Sequence, residues 1–235
     1  MINLNNITLV AIDGTERGTN SLKALKYSSQ DINFKDVIFF SPKNYSNESF
    51  YKFIEIPFFG YDEYSKFCLI ELEKYIESEY VLIIQDDGFV INPSFWRDEY
   101  LKYDYIGAPW KKEHLFYNTK RWPNIHKKLI QSDINYHIGN GGFTLRSKKL
   151  LNHVKNLYKE EYYAIPEDVV ICIGMREELE LKGNVFAPLD VARTFSCESL
   201  CVEGVFTNTH STFGFHGRDV HTIADIARLN NVSLI

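Results

Sequence analysis

The chain has 235 residues, enough for one α/β domain, and 45% of them are apolar, so a full core can form. Lys and Arg number 26 against 31 Asp and Glu, and the formal charge of −5 disfavours generic nucleic-acid binding, which needs a basic surface. No apolar run reaches the length of a membrane span, and MINLNNITLV lacks a basic segment followed by an apolar one, so a soluble, cytoplasmic protein with no transmembrane segment is expected. Aromatic residues make up 15%, which fits a ring-lined cleft or a dense core. Cys68, Cys172, Cys197 and Cys201 have neither disulfide-framework nor zinc spacing, so reduced structural thiols are expected.

In chain order, ITLVAI (7–12) predicts a buried strand that ends at Asp13-Gly14-Thr15, and 19–30 predicts a helix capped by Thr19 or Asn20. DVIFFS (36–41) is a second strand and FIEI (53–56) a short third. Residues 61–78 give the clearest helix, with Tyr64, Cys68, Leu72, Tyr75 and Ile76 on one face. YVLIIQ (80–85) is a strand that runs into Asp86-Asp87-Gly88. This alternation predicts a parallel, doubly wound sheet in a three-layer α/β/α sandwich, with ligands beyond the strands' carboxyl ends. Asp13 and the Asp86-Asp87 pair both lie at such ends.

Further along, 95–102 predicts a short helix, 104–110 a segment that ends in a turn at Pro109, and 111–135 a long polar loop of the kind that forms lids. GFTLRS (142–147) reads as a strand, 148–158 as a helix, and 166–183 as a helix opened by Pro166 and two acids. Residues 184–188 read as a last strand and 219–230 as a terminal helix. With no repeat or linker, the chain is expected to form one domain, 1–235.

Several short motifs carry possible chemistry. Asp86-Asp87 caps a turn or holds a divalent cation through carboxylate oxygens. Asp13-Gly14-Thr15 in VAIDGT is similar to the nucleophile motif of haloacid-dehalogenase-type phosphatases, but Ala11 stands where the nucleophile would be, so no phospho-enzyme can form. Asp13 then contacts a nucleoside or starts a turn. Gly139-Asn140-Gly141-Gly142 permits positive φ and close approach of a ligand to backbone, and no Lys-Ser/Thr follows to make a phosphate loop. In Pro166-Glu167-Asp168, the carboxylates cap the helix or one of them acts as a base. His216 in FGFHG becomes a credible nitrogen ligand if an acidic metal site lies beside it.

Taken in order, QDDGFVINPSFW, YDYIGAPW, GNGGFTLRSKKL, PEDV and FGFHG resemble an uncharacterised glycosyltransferase-like family found among polysaccharide-synthesis genes, over roughly residues 6–217. That family is similar to the GT-A nucleotide-sugar transferases. The resemblance implies a GT-A-like, Rossmann-type sandwich with a mixed, mostly parallel sheet. It implies an inverting, metal-dependent transfer of a sugar from a nucleoside diphosphate, with UDP-sugar as donor, to a hydroxyl of a saccharide or glycoconjugate.

By position, Asp87 and His216 become ligands of Mn2+ or Mg2+, Asp168 the base and Glu167 its neighbour and second choice. Asn140, Gly141 and Gly142 become the floor of the sugar pocket. Asp13, Arg17 and Asp86 become contacts to the nucleotide, and Trp110 with 111–135 the acceptor surface. The chain departs from the family pattern at the metal motif, where Gln85 stands in place of an acid and Asp86 is expected to face away from Asp87 by strand alternation. Two other readings are a non-catalytic nucleotide-sugar-binding domain and an enzyme that glycosylates modified DNA bases.

Overall fold

A computed structural model of the chain describes residues 1–131, 138–198, 201–202, 205–206, 209–217 and 232–234. Four strands, β1 (Ile2–Ile12), β2 (Ile32–Ser41), β3 (Lys52–Glu55) and β4 (Tyr80–Ile84), run parallel. Next to β4 lies β6 (Thr144–Ser147), antiparallel to both β4 and β5 (Tyr105–Ile106), and the six-stranded order is β3-β2-β1-β4-β6-β5. The sheet is therefore mixed and mostly parallel.

Alternation along the central strands divides the core. Leu9, Ala11, Phe39, Leu82 and Ile84 pack with Leu22, Ala24 and Leu25 of α1 (Gly18–Ser29) on one face. Val10, Ile12, Ile38, Phe40, Val81 and Ile83 pack on the other face with Tyr64 of α2 (Tyr61–Lys66) and with Cys68 and Leu72 of its continuation. Both faces are covered, which is why these strands read as continuous apolar runs. The three layers expected from the sequence are present.

Local elements depart from the sequence reading in several places. No side chain caps α1; the chain enters it through Arg17, whose N–H donates to Thr15 Oγ1 at 3.0 Å. α2 passes through a π-turn, Phe67–Glu71, and a 3-10 turn, Leu72–Tyr75, and stops where Ile76 becomes extended. Segment 95–102 holds 3-10 turns rather than an α-helix. The stretch read as a loop is largely helical, as α3 (Lys112–Asn118) and α4 (Pro123–Gln131). Its polar majority hides an inner face of Leu115, Thr119, Ile125 and Leu129. Pro123 opens α4, and Thr119 Oγ1 lies 2.9 Å from His126 Nδ1 at the corner.

α5 (Lys148–Leu157) starts at Ser147, whose Oγ accepts from Leu150 N at 3.0 Å. The helix read over 166–183 is three pieces: α6 (Glu167–Val169), a π-turn at Val170–Gly174 and α7 (Arg176–Leu181). Lys128 of α4 donates to the Gly174 carbonyl at that break. Residues 184–188 contribute only a bridge, Tyr105 to Phe186, and are followed by α8 (Leu189–Phe195). The short strands β7 (Ser196–Cys197) and β10 (Gly214–Phe215) pair in parallel, while β8 (Cys201–Val202) pairs with β9 (Val205–Phe206). The helix read over 219–230 lies outside the described residues.

Leu129 is fully buried on α4, whereas its neighbour Ile130 is 57% exposed. Leu129→Ala is expected to lower the urea-unfolding free energy by about 2–5 kcal/mol and Ile130→Ala by less than about 0.5 kcal/mol. Equal midpoints for the two variants would show that α4 does not pack in this orientation.

Candidate functional site

β1 and β4 are neighbours, but the chain leaves β1 toward β2 on one side and reaches β6 from β4 on the other. Such a switch point opens a crevice beyond the strands' carboxyl ends. A cleft of about 330 Å3 lies there, lined by residues that include Asp13, Arg17, Tyr64, Gln85, Asp86 and Asp87. The Asp13 carboxylate is committed to its own loop. Oδ1 accepts from Thr15 N at 2.9 Å and Thr15 Oγ1 at 2.7 Å, and Oδ2 accepts from Ser21 Oγ at 2.6 Å. Asp13 thus shapes the loop, and the exposed Arg17 side chain lines the cleft.

β4 ends at Ile84, before the acids. Gln85 and Gly88 exchange backbone hydrogen bonds, so Asp86-Asp87 occupies the turn between them. Strand alternation does not apply in a turn, and Asp86 lines the same cleft as Asp87 instead of facing away. Gln85 Nε2 donates to the Tyr64 hydroxyl at 3.0 Å, which aims its Oε1 at His216 Nε2, 3.1 Å away.

His216 reaches this point because β7 and β10 run parallel with Cys197 opposite Phe215. The next residues, Glu198 and His216, therefore emerge together. His216 Nε2 lies 3.5 Å from Asp87 Oδ1, and Nδ1 lies 3.6 Å from Glu198 Oε1. Burial disfavours the imidazolium, but the carboxylates of Asp87 and Glu198 outweigh it and raise the pKa to about 10.

Asn140 sits in the left-handed region at φ 56, which Asn tolerates better than most residues. Its Oδ1 accepts from the Gly142 and Phe143 amides at 3.0 and 3.2 Å, and its Nδ2 donates to Glu198 Oε1 at 2.8 Å and approaches His216 Nδ1 at 2.6 Å. Positive φ in the Gly-Asn-Gly-Gly turn thus belongs to Asn140 and not to its glycines, which serve close approach. A Cβ on Gly142 would fall 2.1 Å from His216 Nε2 and 2.7 Å from Gln85 Oε1, and one on Gly141 would fall 2.0 Å from Glu167 Oε1.

This crowding around His216 bears on the expected metal. Among the described residues, no group of three or more His, Cys, Asp or Glu could hold an ion unaided. Asp87 Oδ1 at 3.5 Å and the Gln85 amide oxygen at 3.1 Å nevertheless flank His216 Nε2, which becomes a nitrogen donor on loss of its proton. This donor set fits a hard divalent cation that takes its remaining ligands from phosphate and water.

Glu167 and Asp168 diverge. Glu167 Oε1 accepts from Arg146 Nη2 at 2.9 Å, with the two side chains 2% and 0% exposed. Asp168 Oδ2 accepts from Gly141 N at 2.7 Å. Burial first, and the Glu167 charge second, raise the Asp168 pKa to about 7. Asp168 also lines a second cleft of about 390 Å3, with Trp110, Lys111, His114, Arg121, Trp122 and Glu198. Tyr61 lines both clefts, and His216 touches an acid of each.

The structure therefore gathers Asp87, Asn140, Gly141, Gly142, Glu167, Asp168 and His216 in one contact network, with Asp13, Arg17 and Asp86 on the wall of the first cleft. Gln85, Tyr64, Arg146 and Glu198 escaped the sequence reading. Gln85 stood in the quoted motif; Glu198 follows a two-residue strand that has no readable period.

The family described as protein of unknown function (DUF5672) matches residues 47–216. No curated protein matches the chain. A solved structure of the galactosyltransferase LgtC with donor and acceptor sugar analogues is similar at a TM-score of 0.53 and 12% identity, over 97% of each chain. A glycosyltransferase involved in glycosylation of the PBCV-1 major capsid gives a TM-score of 0.48 at 13% identity, over 96% of this chain and 98% of that one. The fold is of the GT-A type.

Arg146→Met is expected to lower stability by about 3–5 kcal/mol, because Glu167 would be left as an uncompensated buried charge. The Arg146→Met, Glu167→Gln double variant should recover part of that loss. A double variant less stable than the sum of the two singles in urea titrations would rule out the pairing.

Proposed function

We propose that this chain, which belongs to the DUF5672 family, is a glycosyltransferase that moves a sugar from a nucleoside diphosphate, with UDP as nucleotide, to a hydroxyl of a saccharide or glycoconjugate. One observation carries the reading. Two clefts meet at Tyr61, the first ringed by Gln85, Asp86 and Asp87, the second open to a carboxylate whose pKa lies near neutrality. A binding domain has no need of a base so tuned.

The nucleotide occupies the first cleft, against the loop that Asp13 holds, with Arg17 toward the phosphates. The sugar rests against the Asn140-Gly141-Gly142 turn, whose missing Cβ atoms let Glu167 and His216 pack close against it. The acceptor enters the second cleft, and its hydroxyl faces Asp168. In one displacement, the acceptor oxygen bonds to the anomeric carbon as the bond to the diphosphate breaks. Asp168 takes the hydroxyl proton, and the configuration inverts. Asp87 and His216 would hold Mn2+ or Mg2+, with the Gln85 carbonyl beside them, and the ion supplies positive charge against the departing diphosphate. Glu167, neutralised by Arg146, fixes the turn that aims Asp168.

Asp168→Asn should reduce kcat by ~10²–10⁴ while donor Kd barely moves, since a base acts in the transition state. Glu167→Gln should show mainly in stability. Full transfer by Asp168→Asn in a coupled diphosphate-release assay would remove Asp168 from the chemistry.

A base works unprotonated, so with a pKa of about 7 in the free protein kcat/KM should rise as pH increases toward 7 and then level off. A profile already flat from pH 5 would contradict this assignment. Asp87→Ala and His216→Ala should each weaken Mn2+-dependent UDP binding in calorimetry; unchanged metal-linked affinity in both would leave Asp87 as a turn residue. Chiral analysis of the product tests inversion directly.

A further inference from the structure

The chain is acidic overall, with a formal charge of −5, yet residues 111–128 carry Lys111, Lys112, Lys120, Arg121, Lys127 and Lys128 against one acid, Glu113. α3 and α4 turn this stretch toward the second cleft, where Lys111, His114 and Arg121 stand beside Trp110, Trp122 and Tyr61. Arg121 and Trp122 also line an adjoining cleft of about 520 Å3, together with Lys127, Lys128 and Lys159. Arg121 and Trp122 are common to both clefts, which adjoin there as one groove, and Asp168 lines the second of them.

Pairing separates the cations of the groove into two kinds. Lys128 has Glu178 at 3.4 Å and Lys159 has Glu161 at 3.9 Å. Among the described residues, Lys111, Arg121 and Lys127 have no carboxylate partner. The Arg121 guanidinium lies over the Trp122 ring at 4.2 Å, so its face is occupied while its N–H edge stays available. A stacked guanidinium is a pre-oriented fork for a carboxylate or phosphate. The neighbouring rings of Trp110 and Tyr61 offer apolar surface to a sugar ring.

We infer that the acceptor is an anionic saccharide, one that carries carboxylate or phosphate groups along its chain, read by Arg121 and Lys111 in the cleft of the base and by Lys127 in the adjoining one. This rests on the transferase reading, since it assigns the second cleft to the acceptor. The chemistry is confined to one groove. A nucleic acid would meet the same cations, but the acidic remainder of the surface would repel its long phosphate track.

The test is calorimetry on the full chain with a galacturonic-acid tetrasaccharide, a phosphorylated mannose disaccharide, their neutral counterparts and a single-stranded DNA. UDP with Mn2+ is titrated in parallel. At least one anionic saccharide should bind about tenfold more tightly than its neutral counterpart, and the preference should shrink as salt rises. Arg121→Gln should cost about 5–10-fold in affinity for the anionic sugar and less than about twofold for the neutral one. The carboxylate and phosphate arms tell which anion is read.

If UDP binds and neither anionic sugar is preferred, or Arg121→Gln removes nothing, the acceptor inference fails alone. Tighter binding of DNA than of either saccharide overturns it in favour of a nucleic-acid partner. If an anionic sugar binds and UDP does not, the transferase reading fails, and the groove is not an acceptor site.

Discussion

The site depends on one buried ion pair. β6 carries Arg146 into the interior, and Glu167, 21 residues on, meets it at 2.9 Å with neither side chain reached by solvent to any useful degree. Neither charge could stay there alone, since removing such an ion from water costs several kcal/mol. The pair is poor evidence for stability, because a well-packed apolar pair can be as good. What it sets is direction. With Glu167 pinned, the short helix that follows has one orientation, and Asp168 is left facing Gly141 N and the second cleft. The Arg146 guanidinium also lies 5.5 Å over the Tyr105 ring, whose hydroxyl donates to the Asn140 carbonyl at 3.2 Å. One ion pair thereby ties β6, the Pro-Glu-Asp turn and the glycine-rich turn together.

The glycine-rich turn answers to a second constraint, which is space. Gly141 and Gly142 lie where Glu167, His216 and Gln85 already crowd, and any side chain would meet a buried carboxylate or imidazole. Asn140 then does what a glycine could not. It adopts the left-handed backbone and also spends its side chain on two backbone amides, Glu198 and His216. Its neutral amide reaches both Glu198 and the His216 ring, which lie 3.6 Å apart.

Much of the architecture was legible in the sequence because parallel strands covered on both faces read as unbroken apolar runs. The strand ending before Asp86-Asp87 and the helical face of Tyr64, Cys68 and Leu72 belong to this class. α3 and α4 were not legible, since four inward residues in a polar stretch look like a loop until Cys172, Ile173 and Met175 are there to receive them. The helix over 166–183 failed for the opposite reason, as its apolar run continues through a π-turn that periodicity does not reveal. Arg146 read as a strand residue because its partner is fixed only by the tertiary fold. The same holds for Glu198, which joins His216 through a pairing of two-residue strands.

Gln85 shows what the departure from an acidic metal motif does physically. A carboxylate at this position would add a third negative charge beside Asp86 and Asp87, in the cleft proposed for a diphosphate. The amide removes that repulsion and keeps an oxygen, and Tyr64 holds the amide so that this oxygen, not the nitrogen, faces His216. Tyr64 belongs to α2, the helix that opens beside Tyr61 at the junction of the two clefts. The Gln85 end of the first cleft and the boundary with the second are therefore positioned by the same turn of helix. Charge follows the same division. Asp86 and Asp87 line the first cleft, while Lys111, Arg121 and Lys127, which have no carboxylate partner among the described residues, line the second cleft and the one adjoining it.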